Sequence, residues 1–325
     1  MAKKPSFAPN MLQPNERDIE EALAYPALIE ALRKGFKEDY TVPMRHHHDF
    51  KNPKSDQDST LLLMPAWQAG NMLGLKTVIV SPGNRQFKLP AIHGTYLLFN
   101  AITGALLLQC DARTLTKKRT AAASALAADY LARPDSRRLL MLGTGALAPE
   151  LIKAHRTLRP IEEVWIWGRR YEKAKALAAR LRQELDIQIS AVRDCATVAS
   201  KADILSTATL AYKPILFGEW LVPGQHLDLV GSYKPDMREA DDEAIQRSKV
   251  YVDTLEGAPK ESGDLYIPIQ KAVLDLSDIQ ADLFQLCRRQ RNGRDTPQEI
   301  TLFKSVGHAL EDLAAAQLLY RHLVK

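Results

Sequence analysis

Residues 137–170 read RRLLMLGTGALAPELIKAHRTLRPIEEVWIWGRR, and their order decides the reading of the chain. Leu139 to Leu142 is a short apolar run of the kind a strand buried on both faces requires. It enters Gly143-Thr144-Gly145-Ala146-Leu147-Ala148, a GxGxxA turn; a helical stretch follows to about Leu158, and a second apolar run spans Val164 to Trp167. Strand, tight turn, helix and strand in this order are the setting in which the glycine pattern carries chemistry. Gly143 permits the turn, Gly145 lets the backbone approach a pyrophosphate, and Ala148 keeps the helix close to the sheet. The helix N-terminus faces the anion. The turn is therefore read as a dinucleotide site, with Thr144, Ala146 and Leu147 completing it. The second strand ends in Gly168-Arg169-Arg170, where an NAD site usually carries an acidic residue. Two guanidiniums there suit a 2′-phosphate, so NADPH is expected ahead of NADH.

Length and composition frame this. A chain of 325 residues suggests two domains. With 46% hydrophobic and 26% charged residues it has the balance of an ordinary globular protein. The formal charge of +5 is dispersed, which argues against nucleic acid and favours a small anionic substrate. Cys110, Cys195 and Cys287 lie far apart, without CxxC or zinc spacing, and imply thiols in a reducing compartment. No apolar run has membrane-spanning length and the start has no signal-peptide core, so a cytoplasmic protein without membrane attachment is expected.

Outward from the glycine turn, the N-terminal side begins with a loose segment to about residue 15. A helix follows from Asp18 to Phe36, interrupted at Pro26, then a strand from Asp39 to Arg45. His46-His47-His48 would alternate between strand faces and has no further ligand at suitable spacing, so no metal is expected. Thr60 to Cys110 is strand-rich, with a hairpin connection at Phe99 to Gly104. The alanine-rich helix Leu115 to Leu131 ends before Arg133-Pro134-Asp135, the expected boundary. Beyond the turn come a helix Tyr171 to Leu185, strands near Ile187–Val192, Asp203–Thr207, Gln225–Val230 and Lys249–Asp253, and a last helix Val306 to Leu323. Thr207 falls at a strand's carboxyl end, where a cofactor crevice lies.

Several dispersed segments together resemble the ornithine cyclodeaminase/mu-crystallin family: GLKTVIVSPGN at 74–84, LTKKRTAAASALAADYLA at 115–132, GTGALA at 143–148, VGSYKPDMREADDEA at 230–244 and TLFKSVGHALEDLAAA at 301–316. The resemblance implies an α/β fold in which a Rossmann-type nucleotide-binding domain is inserted in an α+β dimerisation and substrate domain. The expected spans are 1–132 for the first domain, 133–304 for the nucleotide domain and 305–325 for a helix returning to the first; the assembly implied is a homodimer. Carried over onto matching positions, Arg45 binds a substrate carboxylate and Lys76 is the active-site lysine. Arg119 holds the carboxylate or a cofactor phosphate, and Thr95 touches the cofactor. Leu227 to Val230 and Ser305-Val306-Gly307 line the nicotinamide.

The chemistry implied is divided by one loop. Cyclodeaminases of the family place an aspartate two residues after a VG pair, where this chain has Tyr233 in Val230-Gly231-Ser232-Tyr233. A neutral tyrosine, with an ordinary pKa near ~10, is a poor base at neutral pH. The loop resembles the ketimine reductases instead, which reduce a cyclic imino acid such as Δ1-pyrroline-2-carboxylate or Δ1-piperideine-2-carboxylate with NAD(P)H. Lys76 is then the group that polarises the substrate or manages its proton. Ornithine cyclodeamination is the alternative, with Asp228 as a substitute carboxylate. An amino-acid dehydrogenase and a mu-crystallin-like binding protein rank below it. Asp264 is read as a structural turn residue.

Overall fold

The computed structural model describes residues 11–55 and 57–325, so most of the expected loose N-terminal segment lies outside the described residues. The chain forms two compact units, residues 1–119 with 309–325 and residues 120–308. The division falls inside the alanine-rich helix, earlier than the Arg133-Pro134-Asp135 break. That helix continues unbroken to Leu131 because its alanines carry no structural signal for a boundary.

The first unit opens with two helices, α1 (Glu16–Ala22) and α2 (Tyr25–Lys37). Asn15 and Asp18 close a capping box on α1, and Pro26 sits in the first turn of α2, where its missing N–H costs nothing. Five antiparallel strands follow in spatial order: β1 (His46–Phe50), β2 (Ser59–Trp67), β3 (Met72–Val80), β4 (Ile92–Asn100) and β5 (Leu106–Asp111). The strand expected at Asp39–Arg45 is displaced: Thr41 makes only an isolated bridge to Trp67, and pairing begins at His46. Helix α3 (Ala112–Leu131) then leads into the second unit.

The second unit is built on an eight-stranded parallel sheet. Its strands are β6 (Arg138–Leu142), β7 (Glu163–Trp167), β8 (Gln188–Ala191), β9 (Ile204–Thr207), β10 (His226–Leu229), β11 (Lys249–Val252), β12 (Ile279–Asp282) and β13 (Thr301–Lys304). Their spatial order is β12-β11-β13-β10-β9-β6-β7-β8. The order reverses beside β6, and at such a switch point a doubly wound sheet opens a crevice at the carboxyl ends of its strands. Helix α4 (Leu147–Leu158) packs on β6, and α5 (Tyr171–Glu184) packs on β7 and β8. Leu140, Leu142, Leu205, Leu227, Leu229, Val250 and Leu302 form the core of this unit. Shorter helices follow: α6 (Ala196–Ala199), α7 (Asp242–Gln246), α8 (Ala258–Glu261), α9 (Gly263–Gln270) and α10 (Leu283–Cys287). The last helix, α11 (Ala309–Leu323), belongs to the first unit, where it packs on α2 and across β2, β3 and β4.

Candidate active site

Strand pairing in the first unit sets Met64, Lys76, Tyr96 and Cys110 in one row across β2 to β5. Register partners share a sheet face, and α11 covers this one, so Lys76 is 3% exposed and Tyr96 1%. The Lys76 ammonium donates to Asp312 Oδ2 at 2.6 Å. The Arg119 guanidinium donates through Nε to Asp312 Oδ1 at 3.0 Å and through Nη1 to Glu311 Oε2 at 2.7 Å. Buried charges persist only when paired in this way. Burial lowers the Lys76 pKa to about 8; Asp312 opposes the fall, and Arg119 and Arg45 add to it. Burial works against the Asp312 anion, but Arg119 and Lys76 hold its pKa below the ordinary carboxylate value. Tyr96 is pushed well above 10, chiefly by burial, and its hydroxyl has no hydrogen-bond partner among the described residues.

The three cations expected from the sequence are therefore neighbours in charge. Lys76 and Arg119 share one carboxylate, and Arg45 is close enough to depress Lys76. Sequence reasoning missed the counter-ions. Glu311 and Asp312 in the first turn of α11 read as ordinary acids favoured by the helix dipole, yet both are wholly buried. The available signal was a pair of adjacent acids in a run that is otherwise alanine and leucine. Lys76 and Arg119 are matched in charge by Glu311 and Asp312. Thr95 is not brought to this cluster: it pairs with Thr77 and Asp111, on the face of the sheet opposite Lys76.

The second unit holds the nucleotide cradle. Gly143 has φ +133°, and a Cβ there would stand 2.6 Å from the Ala208 carbonyl oxygen, so only glycine makes the turn. Gly145 faces open space, with nothing within 4 Å of where its Cβ would be. The N-cap of α4, Ala146, supplies no side-chain hydrogen bond; in the first turn the Ala148 N–H donates to the Gly145 carbonyl and Pro149 has none, which leaves the Leu147 N–H for an anion. Thr144 packs against Gly168, where a Cβ would lie 2.7 Å from its methyl carbon. Arg169 and Arg170 are exposed at the end of β7. A third guanidinium, Arg193, stacks on the Tyr171 ring at 3.9 Å beyond β8; sequence reasoning did not single it out. The open cradle fits the pyrophosphate of a dinucleotide.

Other expected residues divide by what their side chains touch. Thr207 is buried at the end of β9 and donates to Glu239 at 2.9 Å. Val230 follows the end of β10. Ser305, Val306 and Gly307 follow β13, and the Val306 and Gly307 N–H groups each donate to Asp253 at 2.7 Å. Leu227 is corrected: it lies inside β10 and is sealed in the apolar core, away from the strand's carboxyl end. Asp228, the candidate substitute carboxylate, is corrected as well. It is wholly buried, with His155 Nε2 at 3.0 Å and the Ser206 hydroxyl at 2.7 Å on its Oδ2. Burial raises its pKa, but the His155 and Ser206 hydrogen bonds bring it below the ordinary value. Asp264 accepts from the Glu239 and Ala240 N–H groups and from Lys304, a structural role. Tyr233 is 39% exposed on the loop after β10.

The Ornithine cyclodeaminase/mu-crystallin family profile matches residues 10–325. The chain belongs to that family. A Δ1-pyrroline-2-carboxylate reductase of Paracoccus denitrificans is 37% identical over 99% of this chain and 99% of its own. The Thermococcus litoralis Δ1-pyrroline-2-carboxylate reductase, solved with NADH and L-proline, superposes with TM-score 0.89 at 34% identity, covering 97% of this chain and 98% of that one. An archaeal alanine dehydrogenase dimer with bound NAD gives 0.88 at 28% identity, over 97% and 96%. This family member thus shares its whole length, with both units, with enzymes of nicotinamide chemistry.

Proposed function

We propose that this family member reduces a cyclic ketimine acid, Δ1-pyrroline-2-carboxylate or its six-membered homologue, to L-proline or L-pipecolate. The observation that carries the reading is Lys76: a buried ammonium, held by Asp312 beside Arg119, whose pKa of about 8 keeps it protonated at neutral pH yet ready to give up its proton. The near full-length likeness to enzymes named for this reaction supports it.

Arg45 and Arg119 bind the substrate carboxylate. Arg119 has its Nε and Nη1 on Asp312 and Glu311, which leaves Nη2, without a protein partner among the described residues, for the ligand. Lys76 donates a proton to the imine nitrogen and so makes the adjacent carbon electrophilic. Asp312 steadies Lys76 and keeps it charged between turnovers. A reduced nicotinamide would supply the hydride that, with this proton, completes the reduction of C=N to CH–NH. No second base is required, which agrees with Tyr233 standing in place of an aspartate.

The cofactor we infer is NADPH, with NADH accepted, because Arg169, Arg170 and Arg193 offer three guanidiniums where the 2′-phosphate would lie. We also infer a homodimer. Among the described residues, only one face of the five-stranded sheet is covered within its unit. The other presents Leu63, Pro65, Trp67, Leu73, Leu75 and Leu97, half-buried and apolar, suited to a second copy. The three cysteines form no disulfide with one another, in keeping with a cytoplasmic enzyme.

A paired assay tests the function. One arm follows NADPH absorbance with Δ1-pyrroline-2-carboxylate, and the other follows ammonia release from L-ornithine with NAD. Rapid NADPH loss without ammonia is expected; ammonia and proline from ornithine would make the protein a cyclodeaminase.

A further inference from the structure

In the nucleotide unit, Glu239 gathers more hydrogen bonds than any residue singled out from the sequence. It is wholly buried. Its Oε1 accepts from Thr209 N–H at 2.7 Å and the Thr209 hydroxyl at 2.8 Å. Its Oε2 accepts from the Thr207 hydroxyl at 2.9 Å, Gly231 N–H at 2.7 Å and Ser232 N–H at 3.3 Å. Its own N–H donates to Asp264 at 2.7 Å, and Asp264 also holds Lys304, the last residue of β13. One carboxylate thus ties the segments leaving β9 and β10, and through Asp264 the end of β13; these three strands are adjacent in the sheet. Gly231 is required for this closeness, since a Cβ there would stand 2.1 Å from the Thr209 oxygen and 2.5 Å from Glu239 Oε1.

The position gives the knot a function. In a doubly wound sheet the glycine turn and the end of the second strand take the adenine half of a dinucleotide. The strands beyond the switch point take the other half. Here β9, β10 and β13 lie beyond it. Burial raises the Glu239 pKa, but three backbone N–H groups, which can only donate, already converge on its two oxygens; the carboxylate is the acceptor, and both threonine hydroxyls point their hydrogens at it. Their oxygen lone pairs are left for a donor. Thr207 is sealed, but Thr209 is half-buried and keeps an open side. The groups on the nicotinamide half that can donate are its carboxamide and its ribose hydroxyls.

We propose that Glu239 is the positioning residue of the nicotinamide half of the crevice, fixing the Thr209 hydroxyl as an acceptor for a donor on that half. This rests on the nicotinamide reading above. The test compares whole cofactor with its adenine half: NADPH against 2′-phospho-ADP-ribose, and NADH against ADP-ribose, in Glu239→Gln and Thr209→Val. Thr209→Val keeps the side-chain shape and takes one hydrogen bond from the buried carboxylate, which retains the Thr209, Gly231 and Ser232 N–H groups and the Thr207 hydroxyl, so it serves even if Glu239→Gln does not fold.

Thr209→Val should weaken NADPH and NADH by roughly threefold to tenfold, the worth of one hydrogen bond. Both adenine fragments should bind within about twofold of the parent, because no contact to that half is lost. Glu239→Gln should show the same split more strongly, since an amide N–H can displace a threonine hydrogen. Equal weakening of cofactor and fragment, or none for either, overturns the proposal. A parent protein that binds neither cofactor nor fragment would instead defeat the nicotinamide reading itself.

Discussion

Asp312→Asn removes one charge from the buried cluster and leaves its volume unchanged. Asp312 is the direct partner of both Lys76 and Arg119, at 2.6 and 3.0 Å. Breaking a buried pair from one side costs about 3 kcal/mol or more. Lys76 can shed that cost by losing its proton. At about 1.36 kcal/mol per pH unit, its titration would move down by about two units. The parent lysine, with a pKa of about 8, is about nine-tenths protonated at pH 7; after the shift only about a tenth would be. Activity that needs the protonated lysine is present below its pKa and is lost as pH rises through it. The parent should therefore hold its kcat/KM to near pH 8. The variant should fall roughly tenfold at pH 7 and recover toward the parent by about pH 5. The assay is initial-rate NADPH oxidation with Δ1-pyrroline-2-carboxylate across that range. An alkaline limb that stays near pH 8 in the variant would refute the reasoning, whatever the drop in rate.

Three further outcomes are expected. Replacing Arg169 and Arg170 together by alanine should weaken NADPH by about tenfold to a hundredfold while sparing NADH, as read by fluorescence titration; equal losses would show that these guanidiniums do not recognise the 2′-phosphate. Gly145→Ala places a methyl in open space, so the melting temperature should be unchanged while cofactor affinity drops by about tenfold or more; retained affinity would mean the pyrophosphate lies elsewhere. Asp228→Asn should cost about 3 kcal/mol of stability in denaturant, with turnover of the folded enzyme preserved. Its carboxylate, held below the ordinary pKa, stabilises the fold above about pH 4, and the variant should lose less on acidification than the parent. Lost turnover with unchanged stability would return Asp228 to the reaction.

The sequence by itself determined the nucleotide half. A glycine turn is legible because its constraints are local: Gly143 must adopt a positive φ, Gly145 must leave room, and strand and helix flank them within one short stretch. Arg169 and Arg170 are equally legible, being the next residues after β7. The cluster Arg45, Lys76 and Arg119 came from likeness to a family, because nothing local distinguishes a buried lysine from a surface one. Only the tertiary structure decided what neutralises it. Asp312 meets Lys76 across 236 positions of sequence, and that pairing exists only because α11 returns to lie over β3. The same holds for Leu227 and Asp228, neighbours on one strand. Leu227 enters the core and Asp228 is held by His155 and Ser206, on a helix and a strand far away in the chain. Alternation told the two faces apart but not what lay over each. A contact between distant segments is set by packing, and one residue's type carries no record of its partner.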